Sequence, residues 1–216
     1  MKASRTKDGS PLPFCPMEEK SRRAEYAEAT RSALLEAGLE LFAERGYADT
    51  STEEIVRRAR VTRGALYHHF SGKAELFRSV VEELEQTLAQ EIMDKAFASS
   101  DPWEVITMGT QGFLDTCLRP EVQRILLLDA AAVLGWETWR EIDARYSLGM
   151  TQTALAGAME AGAIESYPVD ALAHMILGAL HNAAHFIVES PDPTRARREA
   201  GETLIRLLEG LRPKSG

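Results

Sequence analysis

Cysteine is scarce: Cys15 in a proline-rich lead and Cys117 in an apolar helical pattern are the only 2 in 216 residues. They build neither a disulfide framework nor a CxxC metal or redox spacing. Cys15 reads as a free exposed thiol, and Cys117 as a small core residue or pocket liner. Strand patterning is also missing, since no Val/Ile/Thr-rich segment alternates apolar with polar, and no internal repeat recurs. The apolar runs at 125–128 and 130–134 are interrupted by Asp129 and too short to cross a bilayer, and the basic N-terminal residues lead into no apolar segment. The expectation is a cytoplasmic protein. HExxH, GxSxG, P-loop and dinucleotide patterns are absent too, so no catalytic residue, metal or cofactor is expected and the chain is not read as an enzyme.

Positive charge is in deficit, with 25 Lys+Arg against 33 Asp+Glu and a formal net charge of -8. The deficit is unevenly shared. Residues 1–78 hold 14 basic and 12 acidic side chains, which leaves 11 and 21 for the remainder, a net of +2 against -10. This asymmetry suits a small nucleic-acid-facing module joined to an acidic body with a different task. A hydrophobic content of 44% suffices for a buried core.

Residues 1–21 contain "SPLPFCP" and no apolar period, and are expected to form a mobile arm. From 22 to 45, Ala33, Leu34, Ala37, Leu41 and Phe42 recur at three- and four-residue steps, the stripe of an amphipathic helix that Gly46 stops. Ser51 followed three residues later by Glu54 is a capping box opening a short second helix with Ile55 and Ala59 inward. A third short helix spans 63–70, with Leu66 and Phe70 on one face and Arg63 and Tyr67 on another. A long helix over 74–97 carries the stripe Leu76, Val80, Leu84, Leu88 and Ile92. Further helices are expected over 103–118, 120–133, 137–161, 169–190 and 194–211, with Pro102, Pro120, Pro168 and Pro191 at their borders. The fold class is therefore all-α: a three-helix head with a helix-turn-helix over 22–72, then a helical bundle over 73–216.

The stretch "GLELFAERGYADTSTEEIVRRARVTRGALYHHFSGKAELF" resembles the DNA-binding module of TetR-type (TetR/AcrR) transcriptional regulators, and the likeness runs over residues 34–77. That family's pattern joins a Gly-aromatic stop, a Thr/Ser-rich cap, an Ile-x-x-x-Ala helix, a Val-Ser/Thr turn, a Gly-x-Leu-Tyr-x-His-Phe helix and a Lys opening the fourth helix. The chemistry agrees. Arg63 has donors matching O6 and N7 of guanine, and Gly64 and Ala65 are small enough for close approach to bases. Tyr67 reaches a phosphate with its hydroxyl, and His68 shares its exposed side. Lys73 and Thr52, each at a helix start, are expected to hold phosphates. Arg60 stands where the family usually has Gly, at a cost of roughly 1 kcal/mol if φ is positive, and adds a further phosphate contact. Val56 replaces the usual small Ala. His69 is expected to support packing, since neighbouring helix positions point about 100° apart and cannot both grip one metal.

By the same resemblance the C-terminal body binds a small molecule and dimerises through its last two long helices. Small residues Ala171, Gly178, Ala179 and Ala183, with Leu204, Leu207, Leu208 and Leu211, are the expected interface. Phe113, Cys117, Asp129, Trp139, Asp143, Tyr146, Met150, His181 and His185 are the expected pocket. His174, His181 and His185 share a helix face; His181-x-x-x-His185 has ligand spacing, but a pocket or subunit-contact stripe is the favoured reading because no Cys or carboxylate cluster accompanies it. The resulting expectation is a ligand-responsive repressor that binds a palindromic double-stranded operator as a homodimer and is released by a small hydrophobic or amphipathic effector. The alternative is an all-helical small-molecule binding or enzymatic protein retaining a non-regulatory head.

Overall fold

The computed structural model describes the backbone of residues 16–213 and the side chains of residues 24–213. Every regular element among these residues is helical. The head contains α1 (Pro16–Arg45), α2 (Thr52–Arg58) and α3 (Arg63–His69); the body contains α4 (Lys73–Ala96), α5 (Pro102–Thr116), a π-helical segment (Val122–Asp129), α6 (Ala130–Leu134), α7 (Trp136–Glu160), α8 (Val169–Val188) and α9 (Pro193–Glu209). The first helix begins inside the segment expected to be a mobile arm. Proline is tolerated in a first turn, where its missing N–H has no intrahelical partner, so Pro16 opens α1 rather than blocking it. The rest of that arm, with Cys15, lies outside the described residues.

The head closes around Leu34, Phe42, Ile55 and Leu66, each fully buried, and α4 supplies Leu76, Phe77, Val80 and Val81 to the same core. Phe77 stands edge-on to Phe42 and Tyr47, with ring centroids 5.0 Å apart in both pairs. The cluster continues through Ile125, Ala130 and Ile142 of the body, so head and body share one core and residue 73 is no seam in the packing. Two further clusters fill the body. One joins Leu114 and Cys117 to Leu180, Ile187 and Ala200, and the other joins Ile106 and Leu155 to Ala173 and Leu208.

The single helix expected over 120–133 is instead the π-helical segment followed by α6, which Gly135 ends at φ +82. Helix α8 has 20 residues at a mean hydropathy of 1.4, long and apolar enough to cross a membrane by length and composition. It packs between α7 and α9 through Ala173, Leu177, Leu180, Ala184 and Ile187.

Candidate DNA-reading head and effector cavity

The two short helices of the head are fixed at their starts by local chemistry. Ser51 accepts from the Glu54 N–H while the Glu54 carboxylate accepts from the Ser51 N–H, the reciprocal cap expected from spacing. These bonds, with Arg45 beside it, hold the Glu54 carboxyl down at about 2. Thr62 caps α3 by accepting from the Ala65 N–H.

Between them, Arg60 has φ +56, the only positive φ outside glycine among the described residues. The Val61 N–H reaches the Val56 carbonyl at 3.0 Å and the Arg60 N–H reaches the Arg57 carbonyl at 3.3 Å, which is a Schellman stop with Arg60 in the left-handed position. Val56 and Val61 both pack on the head core, the apolar pair this stop usually carries. The two departures from the family pattern thus sit in one motif. Arg60→Gly is expected to raise stability by roughly 0.5–1 kcal/mol, the relief of left-handed strain less the entropy glycine loses on folding. A urea midpoint unchanged or lowered would remove the strain argument.

Arg63, Gly64, Tyr67 and His68 are all exposed along α3, while Leu66 and Phe70 anchor its other face. The Arg63 guanidinium lies over the Tyr67 ring at 5.6 Å and pairs with Glu53 at 3.2 Å, so it is held at the surface in an open ion pair. Ala65 is half-buried, and His69 is half-buried beside the Phe70 ring. Thr52 is half-buried and donates to Glu53. Lys73 is more committed than expected. Its ammonium donates to the carbonyls of Tyr47 (2.8 Å) and Thr50 (2.9 Å) and lies 4.1 Å from the Tyr47 ring centre, which leaves one of three donors for a phosphate.

The body holds a cavity of about 110 Å³. Its walls come from α4, α5, the π-helical segment, α7 and α8, and it is lined largely by apolar side chains. Six expected residues line it: Phe113, Cys117, Trp139, Asp143, Met150 and His181. His181 Nε2 lies 3.1 Å from Asp143 Oδ1. Burial pulls the His181 pKa down, and the hydrogen bond and charge of Asp143 together with the charge of Glu85 lift it further, leaving it raised. Cys117 is a neutral thiol, its pKa pushed by burial to about 12.

Three expected pocket residues lie elsewhere. Tyr146 packs on the core shared with the head, His185 is exposed on α8, and Asp129 turns to the head, where its Oδ2 accepts from the Tyr47 N–H at 2.8 Å. Asp129 also lies 3.5 Å from Arg124 Nε, and Arg124 donates to the Arg45 carbonyl at 3.3 Å. Gly46 takes φ +81, a conformation L side chains rarely adopt, and a Cβ there would push the Arg124 guanidinium out of its place. The histidine stripe does not converge: His174 bonds the Asp170 carbonyl, and among the described residues no three His, Cys, Asp or Glu side chains gather as a metal needs.

Sequence reasoning missed Glu85, which faces the cavity from α4. Desolvation, with the Asp143 charge adding to it, pushes its carboxyl up to about 7. The expected interface also divides. Leu204 and Leu208 are buried within the chain and Leu211, Ala179 and Ala183 pack partly on the body clusters, because those faces of α8 and α9 meet α5, α7 and each other. The outward apolar face consists of Ala171, Met175, Phe186 and Leu207, the last three 71%, 51% and 65% exposed, with Gly178 half-exposed between them.

Two families match the chain. A family described as bacterial regulatory proteins, tetR family, matches residues 34–80, and one described as tetracyclin repressor-like, C-terminal domain, matches residues 103–211. The transposon Tn10 TetC protein of Escherichia coli is 26% identical over 175 residues, covering 78% of this chain and 86% of that protein. AcrR of Shigella flexneri, an HTH-type transcriptional regulator, is 34% identical over 102 residues, 47% of each chain. A solved TetR-family transcriptional regulator from Pectobacterium atrosepticum superimposes with a TM-score of 0.79 at 35% identity, covering 90% of this chain and 99% of that one.

Proposed function

This chain belongs to the TetR family of bacterial transcriptional regulators and is a DNA-binding regulator, and from that premise we propose how it works. It is a cytoplasmic homodimer that binds a palindromic operator and leaves it when a small effector fills the body cavity. The supporting observation is the dual position of the π-helical segment. Val122, Leu126 and Leu127 line the cavity, while Arg124 and Asp129 of the same eight residues hold the Arg45–Tyr47 end of the head. A ligand that repacks the leucines therefore moves the anchor of the reading heads. It shifts the balance between states only to the extent that it binds them with different affinity.

The outward face of α8 and α9 supports dimerisation. Met175, Phe186 and Leu207 present apolar surface with Gly178 allowing close helix approach, and a second copy covers it by two-fold symmetry. Two reading helices set roughly 34–36 Å apart then meet successive major grooves. One α3 offers few base contacts, and the pair supplies the missing affinity and specificity.

The test is a gel shift on the DNA flanking the protein's own gene at several salt concentrations. A sequence-preferring shift that weakens steeply with salt is expected. Absence of a shift at low salt would overturn the regulator reading. In the same assay, Asp129→Asn should bind the operator yet respond less to effector, because the anchor to Tyr47 is weakened. An undiminished response would show that the signal travels by another route.

A further inference from the structure

The polar groups of the cavity wall can be accounted for one by one. Thr110 donates to the Ile106 carbonyl, Thr116 and Cys117 to that of Phe113, and Thr151 to that of Ser147, while Ser147 and His181 both engage Asp143. Two groups are left over among the described residues. Trp139 is 8% exposed and lines the cavity, and its indole Nε1–H has no hydrogen-bond partner. The Glu85 carboxylate has neither hydrogen bond nor ion pair and faces the same space. Trp139 Nε1 is sealed within the wall, whereas Glu85 is half-buried and faces the cavity with its carboxyl unpaired, so Glu85 is the polar group open to whatever fills it.

The charge balance sharpens this. His181 and Asp143 pair with each other at 3.1 Å, and the lining includes no Lys or Arg, so Glu85 is the carboxyl left without a partner. The groups that face it are Asp143 from α7, His181 from α8 and the neutral Cys117 thiol beyond the end of α5; the π-helical segment contributes only apolar side chains to the wall. An anionic guest would add a second negative charge with no cation to meet it. A neutral guest finds only a neutral hydrogen bond from protonated Glu85. A protonated amine gains a charge-assisted bond to a half-buried carboxylate that no protein group occupies.

We infer that the effector is a lipophilic amine: an apolar molecule with one protonated nitrogen that pairs with Glu85. This rests on the reading of the cavity as the effector site and names its ligand class. Asp143 and His181 are engaged with each other, and the remaining wall selects for an apolar body.

Three matched probes test it: 4-phenoxybutylamine, 4-phenoxybutanol and 4-phenoxybutyrate share an apolar body and an ether acceptor and differ in charge. Calorimetric titration of the full chain at pH 7.5 should find the amine bound about tenfold or more tighter than the alcohol, with the carboxylate weakest. Glu85→Gln should bring the amine down to the alcohol's affinity and leave the alcohol within about twofold. The alcohol or carboxylate binding as well as the amine, or an amine preference that survives Glu85→Gln, would overturn the ligand class while leaving the cavity reading in place. Failure of all three probes to bind at millimolar concentration would overturn the cavity reading itself. Folding of the variant is checked by its circular dichroism and melting curve.

Discussion

Replacing Arg63 with Ala in both reading helices is expected to lower operator affinity by roughly 10²–10⁴-fold and to flatten base preference at one position in each half-site. A bidentate Arg–guanine contact discriminates by about 1–3 kcal/mol, and a two-fold dimer makes it twice. The geometry favours the full value. Arg63 opens α3 directly after the Thr62 cap, with 65% of its side chain exposed, and its free-state partner Glu53 is 58% exposed, so the ion pair that must open on binding is worth little. The Tyr67 ring beneath the guanidinium restricts its swing, which lowers the entropy lost when it docks. Its removal also leaves Glu53 unneutralised beside the reading helix, where a bare carboxylate repels phosphate. Fluorescence anisotropy against operators substituted one base at a time separates base reading from general charge loss. An affinity and base preference unchanged from the parent would remove α3 from the major groove.

The head was legible in the sequence because its determinants are local. Ser51 and Glu54 cap at a three-residue spacing, Gly46 and Arg60 end helices by backbone conformation, and Leu66 and Phe70 fall four apart. The body was legible as helices but not as a site. Asp129 was expected in the pocket, yet its partner Tyr47 lies 82 positions away, and no spacing rule reaches that far. From sequence the π-helical segment reads as part of one α-helix, because a short apolar stretch such as Ile125–Leu126–Leu127 suits either period. Leu204 and Leu208 read as interface residues because an amphipathic stripe shows that a helix buries a face, without showing against what. Glu85 did leave a signal. It shares the register of Leu88, Ala89, Ile92 and Ala96, which puts a carboxylate on the apolar stripe of α4, but among Glu82, Glu83 and Gln86 it reads as one more surface acid.

That misplaced acid carries the largest stability effect expected within the body. The Glu85 carboxyl titrates at about 7 when folded, against 4.5 for an unperturbed group. The folded chain therefore binds more protons than the unfolded chain between these values, and stability falls as pH rises from about 4.5 to about 7, by about 3 kcal/mol in all. His181 acts in the same direction over a higher window. Its raised pKa means that the stabilisation it contributes is fully present below its unfolded value of 6.5 and is lost as pH rises through the folded one. On the acid side, Glu53, Glu54, Glu75 and Glu91 are held low by hydrogen bonds and cationic neighbours, so their contribution is present above the unfolded carboxylate range and disappears as pH falls below it. The ligand-free protein should accordingly be most stable near pH 5 and melt roughly 6–12 °C lower at pH 8, taking about 2–4 °C per kcal/mol for a chain of this size. Glu85→Gln removes the titrating charge, so its melting temperature should hold nearly level from pH 5 to pH 6.5 and exceed the parent's at pH 8. Differential scanning calorimetry across that range decides it. A parent whose melting temperature climbs from pH 5 to pH 8, or a Glu85→Gln variant with the parent's profile, would show that the carboxylate is hydrated and not held in the cavity wall.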